Sequence, residues 1–186
     1  MMGLGGWIAV AIVLFVLGSI MALKPSGVEQ RLDKLRMTAR RLQLNPKLIA
    51  CPSWIRGKDN EYGSGMIAQY ALILPNIKLP ETRYQVIDGQ LRPVLAEKPI
   101  DNLSDSQSDS IMPNYHLDKE PLALPERIAP FVKAVYSKAN SMVIFWDDSA
   151  YVKPNSNPQY CPEQIEPDLM CLKERLSDWA MRLNPN

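Results

Sequence analysis

Apolar positions recur along this chain at three different spacings, and each spacing predicts a different kind of element. From Met1 to Leu23 they are nearly unbroken: WIAVAIVLFVLGSIMAL, Trp7 to Leu23, holds no charged side chain and a single hydroxyl, Ser19. From Val28 to Leu42 they return every three or four residues. Beyond Pro46 they gather into short runs of strand length.

The unbroken run predicts a membrane-spanning helix. Counted from Met1 it has 23 residues, about 34 Å as a helix, against about 30 Å of hydrocarbon. A helix also bonds every backbone amide within the segment, as lipid requires. No basic residue precedes the run, which argues against a cleaved leader. Lys24, Arg31, Lys34, Arg36, Arg40 and Arg41 follow it, and basic residues beside a span resist translocation. Residues 1–24 are therefore expected to form a transmembrane anchor, N-terminus out, with the C-terminal domain cytoplasmic.

Residues 25–45 predict a basic amphipathic juxtamembrane helix. Ser26 and Glu29 have capping-box spacing, and Asn45-Pro46 ends the pattern. The apolar stripe is Val28, Leu32, Leu35, Ala39 and Leu42. Arg31, Lys34 and Arg41 lie on a flank with no acid, which, with Lys24, makes them candidates for contact with anionic lipid at a membrane surface. Two other destinations for the stripe stand beside that one: packing on the soluble domain, and a short coiled-coil contact.

Residues 46–186 predict a small α+β domain with a mobile 96–114 segment. KLIAC and MIAQYALIL read as strands, the second buried on both faces. RYQVIDGQLRPVL reads as a hairpin turning at Asp88-Gly89, with Val86 opposite Leu91, Tyr84 opposite Pro93, and an edge position for the second strand because Pro93 lacks an amide donor. Ile128, Phe131, Val132, Val135 and Ala139 predict a helix, and SMVIFW a second buried strand with AYVK as its hairpin partner across Asp147-Asp148-Ser149. Leu169, Leu172, Leu176, Trp179 and Leu183 predict a last helix over Glu166 to Leu183. Strands and helices in separate blocks favour an antiparallel or mixed sheet with about two helices.

Composition narrows the functional classes. Across 186 residues, 21 basic and 20 acidic side chains leave a net charge of +1, so no global field draws nucleic acid. The three cysteines Cys51, Cys161 and Cys171 have no C-x-x-C spacing, which fits reduced thiols. His116 is the single histidine, so Ser-His-Asp, Cys-His and zinc arrangements are disfavoured. YGSGM has Tyr62 where a nucleophile elbow needs glycine, and no phosphate-loop motif occurs. Asp147 and Asp148 place carboxylates at a strand end, but neighbouring strand residues face opposite ways.

The arrangement LFVLGSIMALKPSGVEQRLDKLRMTARRLQL followed by a small body resembles uncharacterised single-pass inner-membrane proteins of Gram-negative bacteria, some of them YajC-like accessory subunits of the Sec translocon. The likeness covers mainly the first 45 residues, and the body here is longer than that subunit's. It implies a bacterial inner-membrane address and transfers no functional residue. The expected function is that of a membrane-anchored, non-catalytic accessory protein whose domain binds other proteins. The expected partners are the lipid bilayer and other membrane proteins, with no nucleic acid and no cofactor. The alternative is a tethered regulator or sensor that binds a small ligand or nucleotide.

Overall fold

A computed structural model describes residues 3–22, 26–57, 60–94 and 116–184. In chain order they form α1 (Leu4–Ala22), α2 (Gly27–Arg41), β1 (Leu44–Ala50), β2 (Met66–Ile73), β3 (Leu79–Ile87), β4 (Gln90–Pro93), β5 (Val132–Ala139), β6 (Ser141–Trp146), α3 (Asp148–Tyr151) and α4 (Ile165–Leu183). The fold is α+β around one six-stranded sheet of order β1-β2-β6-β5-β3-β4. Every neighbouring pair is antiparallel. The expected mobile segment 96–114 lies outside the described residues.

The expected membrane span is corrected. Among the described residues, no helix is long and apolar enough to cross a membrane. The described helix covers 19 residues of the apolar run, about 28 Å at 1.5 Å per residue. What remains is an uncharged helix with its large apolar side chains exposed, Trp7, Leu14 and Phe15 the most so.

Helix α2 begins at the capping box. The Glu29 amide donates to Ser26 Oγ at 3.2 Å, and the Ser26 amide donates to Glu29 Oε2 at 2.7 Å. Its stripe lies on the domain: Leu35 and Ala39 are buried, with Val28, Leu32 and Leu42 packed around them. On the same face of the sheet α4 buries Leu169, Leu172, Leu176, Trp179 and Leu183. They meet Ala68, Tyr70 and Leu72 of β2 and Met142, Ile144 and Trp146 of β6. Alternate residues point the other way. Ile67, Val143 and Phe145 form a smaller core with Cys51 and Ile55, so the 51–65 loop folds over the second face. The central strand β6 is thus buried on both faces, which accounts for its unbroken apolar sequence.

The β3–β4 hairpin has the register that the sequence predicts, Val86 opposite Leu91 and Tyr84 opposite Pro93. Asp88 and Gly89 both take positive φ, 51° and 71°, as such a tight turn requires. Two other expectations are corrected. The helix expected over Ile128 to Ala139 is a short turn at Ala129–Phe131 followed by strand β5. AYVK does not pair as a strand: Asp147 caps α3 by accepting from the Ala150 amide, and the chain turns away from the sheet.

The β5 error has a physical source. Val132 pairs with Trp146 and Ala134 with Phe145, so Lys133 is an extra residue, a β-bulge. The bulge resets the alternation. Val132 and Val135 share the helix-covered core while Ala134 faces the loop-covered one. Apolar residues three apart on one face imitate a helix, although a strand carries them.

Candidate functional site

The bulge lies at the end of the sheet where β2 and β5 begin and β3 and β6 finish. Two cavities open there, and Lys133 borders both.

The larger, about 370 Å³, lies between α2 and the sheet end. Leu32, Leu48, Met66 and Ala68 give it apolar walls, and Arg36, Asp147, Asp148 and Ser149 supply polar ones. Leu48 and Met66 are 52% and 55% exposed, an apolar lip rather than a sealed core. Asp148 is 2% exposed and fully engaged. Arg36 reaches it with two hydrogen bonds, Nε to Oδ2 at 2.8 Å and Nη2 to Oδ1 at 3.2 Å, and Tyr70 Oη donates to Oδ2 at 3.3 Å. Burial alone would pull the Arg36 pKa down, but the hydrogen bond and charge of Asp148 more than reverse it, so Arg36 is held above its ordinary value. Burial, reinforced by the Asp148 charge, drives the Tyr70 phenol far above its usual range. Asp147 Oδ1 accepts from the Ala150 amide at 3.0 Å and from Ser149 Oγ at 2.7 Å. One aspartate holds α2 to the sheet and the other caps α3.

The smaller cavity, about 250 Å³, is lined by Arg56, Asn60, Tyr62, Gln85, Val86, Ile87 and Lys133. Residues 51–57 and 60–65 build one wall: the Gly57 amide donates to the Glu61 carbonyl at 2.9 Å, and the Gly63 amide to the Ile55 carbonyl at 3.0 Å. The turn is tight enough that a Cβ on Gly57 would come within 2.1 Å of the Ser64 carbonyl oxygen. Trp54 pins the loop to the sheet, edge-on to Phe145 with centroids 5.7 Å apart, and its carbonyl accepts from the Gln85 amide. The Arg56 guanidinium sits 5.0 Å from the Tyr62 ring centroid, and its hydrogen bond draws the Tyr62 phenol below its ordinary pKa. No carboxylate lines this cavity among the described residues.

A second buried aspartate, Asp168, repeats the Asp148 pattern away from both cavities. Arg127 Nε donates to its two oxygens at 2.7 and 2.8 Å, and Tyr151 Oη donates to Oδ2 at 2.7 Å. This clamp ties α4 and α3 to the turn before β5. It is structural, like its counterpart on α2.

The residues singled out from sequence lie elsewhere. Lys24 is outside the described residues. Arg31 stacks 5.7 Å from the Tyr160 ring centroid, Lys34 is exposed, and Arg41 pairs with Glu166 at 3.4 Å. None of them lines either cavity. His116 is exposed in a turn, and the three cysteines are free, Cys51 buried. Among the described residues no group of three or more His, Cys, Asp or Glu is placed to hold a metal ion. Sequence reading missed Arg36, Arg56 and Lys133. Only Arg36 left a trace, as a cation beside the apolar stripe of α2.

Fold and site together define a single-sheet α+β protein with two adjoining cavities at one sheet end and an exposed apolar helix. No family model, curated protein or solved structure matches the chain.

Proposed function

We propose that this is a non-catalytic interaction protein, retained at a membrane through the apolar surface of α1, whose α+β body binds another protein. The observation that carries the proposal is the apolar lip of the larger cavity. Leu48 and Met66, each more than half exposed, stand over a recess of about 370 Å³. Such a recess matches an apolar side chain of a partner, and burying one contributes about 1.5–3 kcal/mol. The polar groups on its walls are already committed: Asp148 to Arg36 and Tyr70, and Asp147 to the cap of α3. That favours binding over chemistry. Lys34 and Arg41, exposed on α2, add about 1 kcal/mol each near anionic lipid.

Affinity capture of the full chain in mild detergent, beside a Leu48→Lys, Met66→Lys double variant, tests the reading. A stoichiometric partner held by the native chain and lost by the variant is the expected result. Free monomer in both preparations, or equal recovery of the partner, contradicts it. The alternative of a small-ligand regulator is favoured by a separate feature, the smaller cavity with Arg56 and Lys133 in its described lining.

A further inference from the structure

We propose that the partner protein contributes an extended segment that pairs with the outer edge of β1, lengthening the six-stranded sheet by one strand. This rests on the protein-binding reading of the Leu48 and Met66 lip and specifies the conformation and side chains that the partner brings there.

The two edges of the sheet differ. The β4 edge is covered: the Leu91 amide donates to the Glu120 carbonyl at 2.8 Å, and the Lys119 amide to the Leu91 carbonyl at 2.9 Å. β1 forms the other edge, and among the described residues no backbone bond of this kind covers it. Which of its groups face outward follows from the register. Cys51 continues the β1–β2 pairing opposite Gly65, and its amide donates to the Gly65 carbonyl at 2.9 Å. Hydrogen bonding alternates along an antiparallel pair, so Ile49, Lys47 and Asn45 also turn their backbone groups toward β2. Pro46, Leu48 and Ala50 turn theirs outward. Pro46 agrees with that phase, because on the outer side its missing amide costs the β1–β2 ladder nothing. The outer edge thus offers the N–H groups of Leu48 and Ala50 and the carbonyls of Pro46, Leu48 and Ala50. An added strand is the partner that satisfies alternating donors and acceptors at this spacing.

Side chains define the chemistry of that strand. Leu48 stands at the lip on the helix-covered face, 52% exposed, and Lys47, exposed, points to the opposite face. An apolar residue set beside Leu48 covers it, and an acidic residue opposite Lys47 completes a cross-strand ion pair. A second copy of this chain is a poor occupant. Pairing β1 with itself about its middle residue sets Lys47 against Lys47, and like charges directly opposite weaken a ladder. Centring the pair on Leu48 instead puts Pro46 opposite Ala50 and leaves two bonds unmade. The edge therefore suits a different chain, one that alternates apolar residues with polar ones and carries an acid among the polar set.

The test titrates an acetylated and amidated peptide, Thr-Val-Thr-Val-Glu-Val-Thr, into the ¹⁵N-labelled full chain in a nonionic detergent and follows amide hydrogen exchange. Running antiparallel with its central valine opposite Leu48, the peptide sets its glutamate opposite Lys47. Exchange at Leu48 and Ala50 is expected to slow about tenfold or more, with Lys47 and Ile49, already bonded to β2, unchanged. N-methylation of the central valine removes the amide that meets the Leu48 carbonyl and keeps every side chain, so it should weaken binding about tenfold or more. N-methylation of the glutamate, on the far edge, should change binding by no more than about threefold. Lys47→Glu should weaken binding about threefold, and a peptide with lysine in place of glutamate should recover it. An unchanged exchange pattern, or equal losses from the two N-methyl peptides, overturns the proposal. So do Leu48 and Ala50 amides that are already slow in the chain alone, or protection that grows with protein concentration, which would assign the edge to this chain's own residues or to a second copy. Partner capture that depends on Leu48 and Met66, found beside unprotected Leu48 and Ala50 amides, would keep the lip and overturn strand addition, so the two readings fail separately.

Discussion

Two aspartates carry much of the specificity of this fold at the scale of single residues. Asp148 and Asp168 are each 2% exposed, and each meets one arginine and one tyrosine. Neither cluster is visible in the sequence, because the partners are 112 and 41 residues apart and no local period links them. Removing one charge of a buried pair costs about 3–5 kcal/mol, but the Arg36 side chain keeps 25% of its exposure. Asp148→Asn is therefore expected to destabilise the body by about 2–3 kcal/mol, read as a lowered urea midpoint with unchanged m-value. The tyrosines make a second prediction. Burial first, and then the neighbouring aspartate, keep Tyr70 and Tyr151 protonated far above the usual phenol range. Below the unfolded phenol value of about 10, both states hold the proton and the stability is fully present. As pH rises beyond it the unfolded chain ionises while the folded one does not, so stability falls by about 1.4 kcal/mol per pH unit for each tyrosine. Tyr70→Phe should make that alkaline slope shallower by about 1.4 kcal/mol per pH unit; an identical slope would refute the assignment.

Among the elements, what could be read from the sequence depended on how local the signal was. The capping box of α2, the Asp88-Gly89 hairpin with its register, and the buried face of α4 are all written within a few residues. Strand β5 was misread because a bulge at Lys133 converts a two-residue alternation into a three-residue spacing. α3 was misread because an aspartate cap, Asp147, redirects a segment whose apolar content suits a strand. The cavities were illegible for the same reason as the clamps: the 51–65 loop, β3 and β5 meet only after the sheet has assembled. The bulge offers a clean contrast. Deleting Lys133 would restore a regular ladder and turn Val132 toward the wrong core, at about 2–5 kcal/mol, the cost of losing one large buried side chain. Lys133→Gln should change stability by no more than about 0.5 kcal/mol, since the charge takes no part in the fold. Thermal unfolding of the two variants side by side checks this; equal losses would mean that the ammonium, not the extra residue, supports the strand.

Taken whole, the molecule pairs a body whose apolar surface is largely buried with a helix whose apolar surface is not. The body satisfies itself through two cores on opposite faces of one sheet. Helix α1 is hydrophobic on every side and exposed, and such a helix is stable only where something apolar surrounds it. Among the described residues no helix is long and apolar enough to cross a membrane, and the proposed recognition rests on the sheet end. The proposed recognition surface is the lip formed by Leu48 and Met66. Site-specific photo-crosslinking of the full chain in its native cells tests it most directly, with the probe at Leu48, at Met66 and, for comparison, at Met181, which is 60% exposed on α4. One discrete protein adduct, shared by positions 48 and 66 and absent from 181, is the expected result. Uncrosslinked monomer at all three positions, or the same adduct at 181, would contradict it.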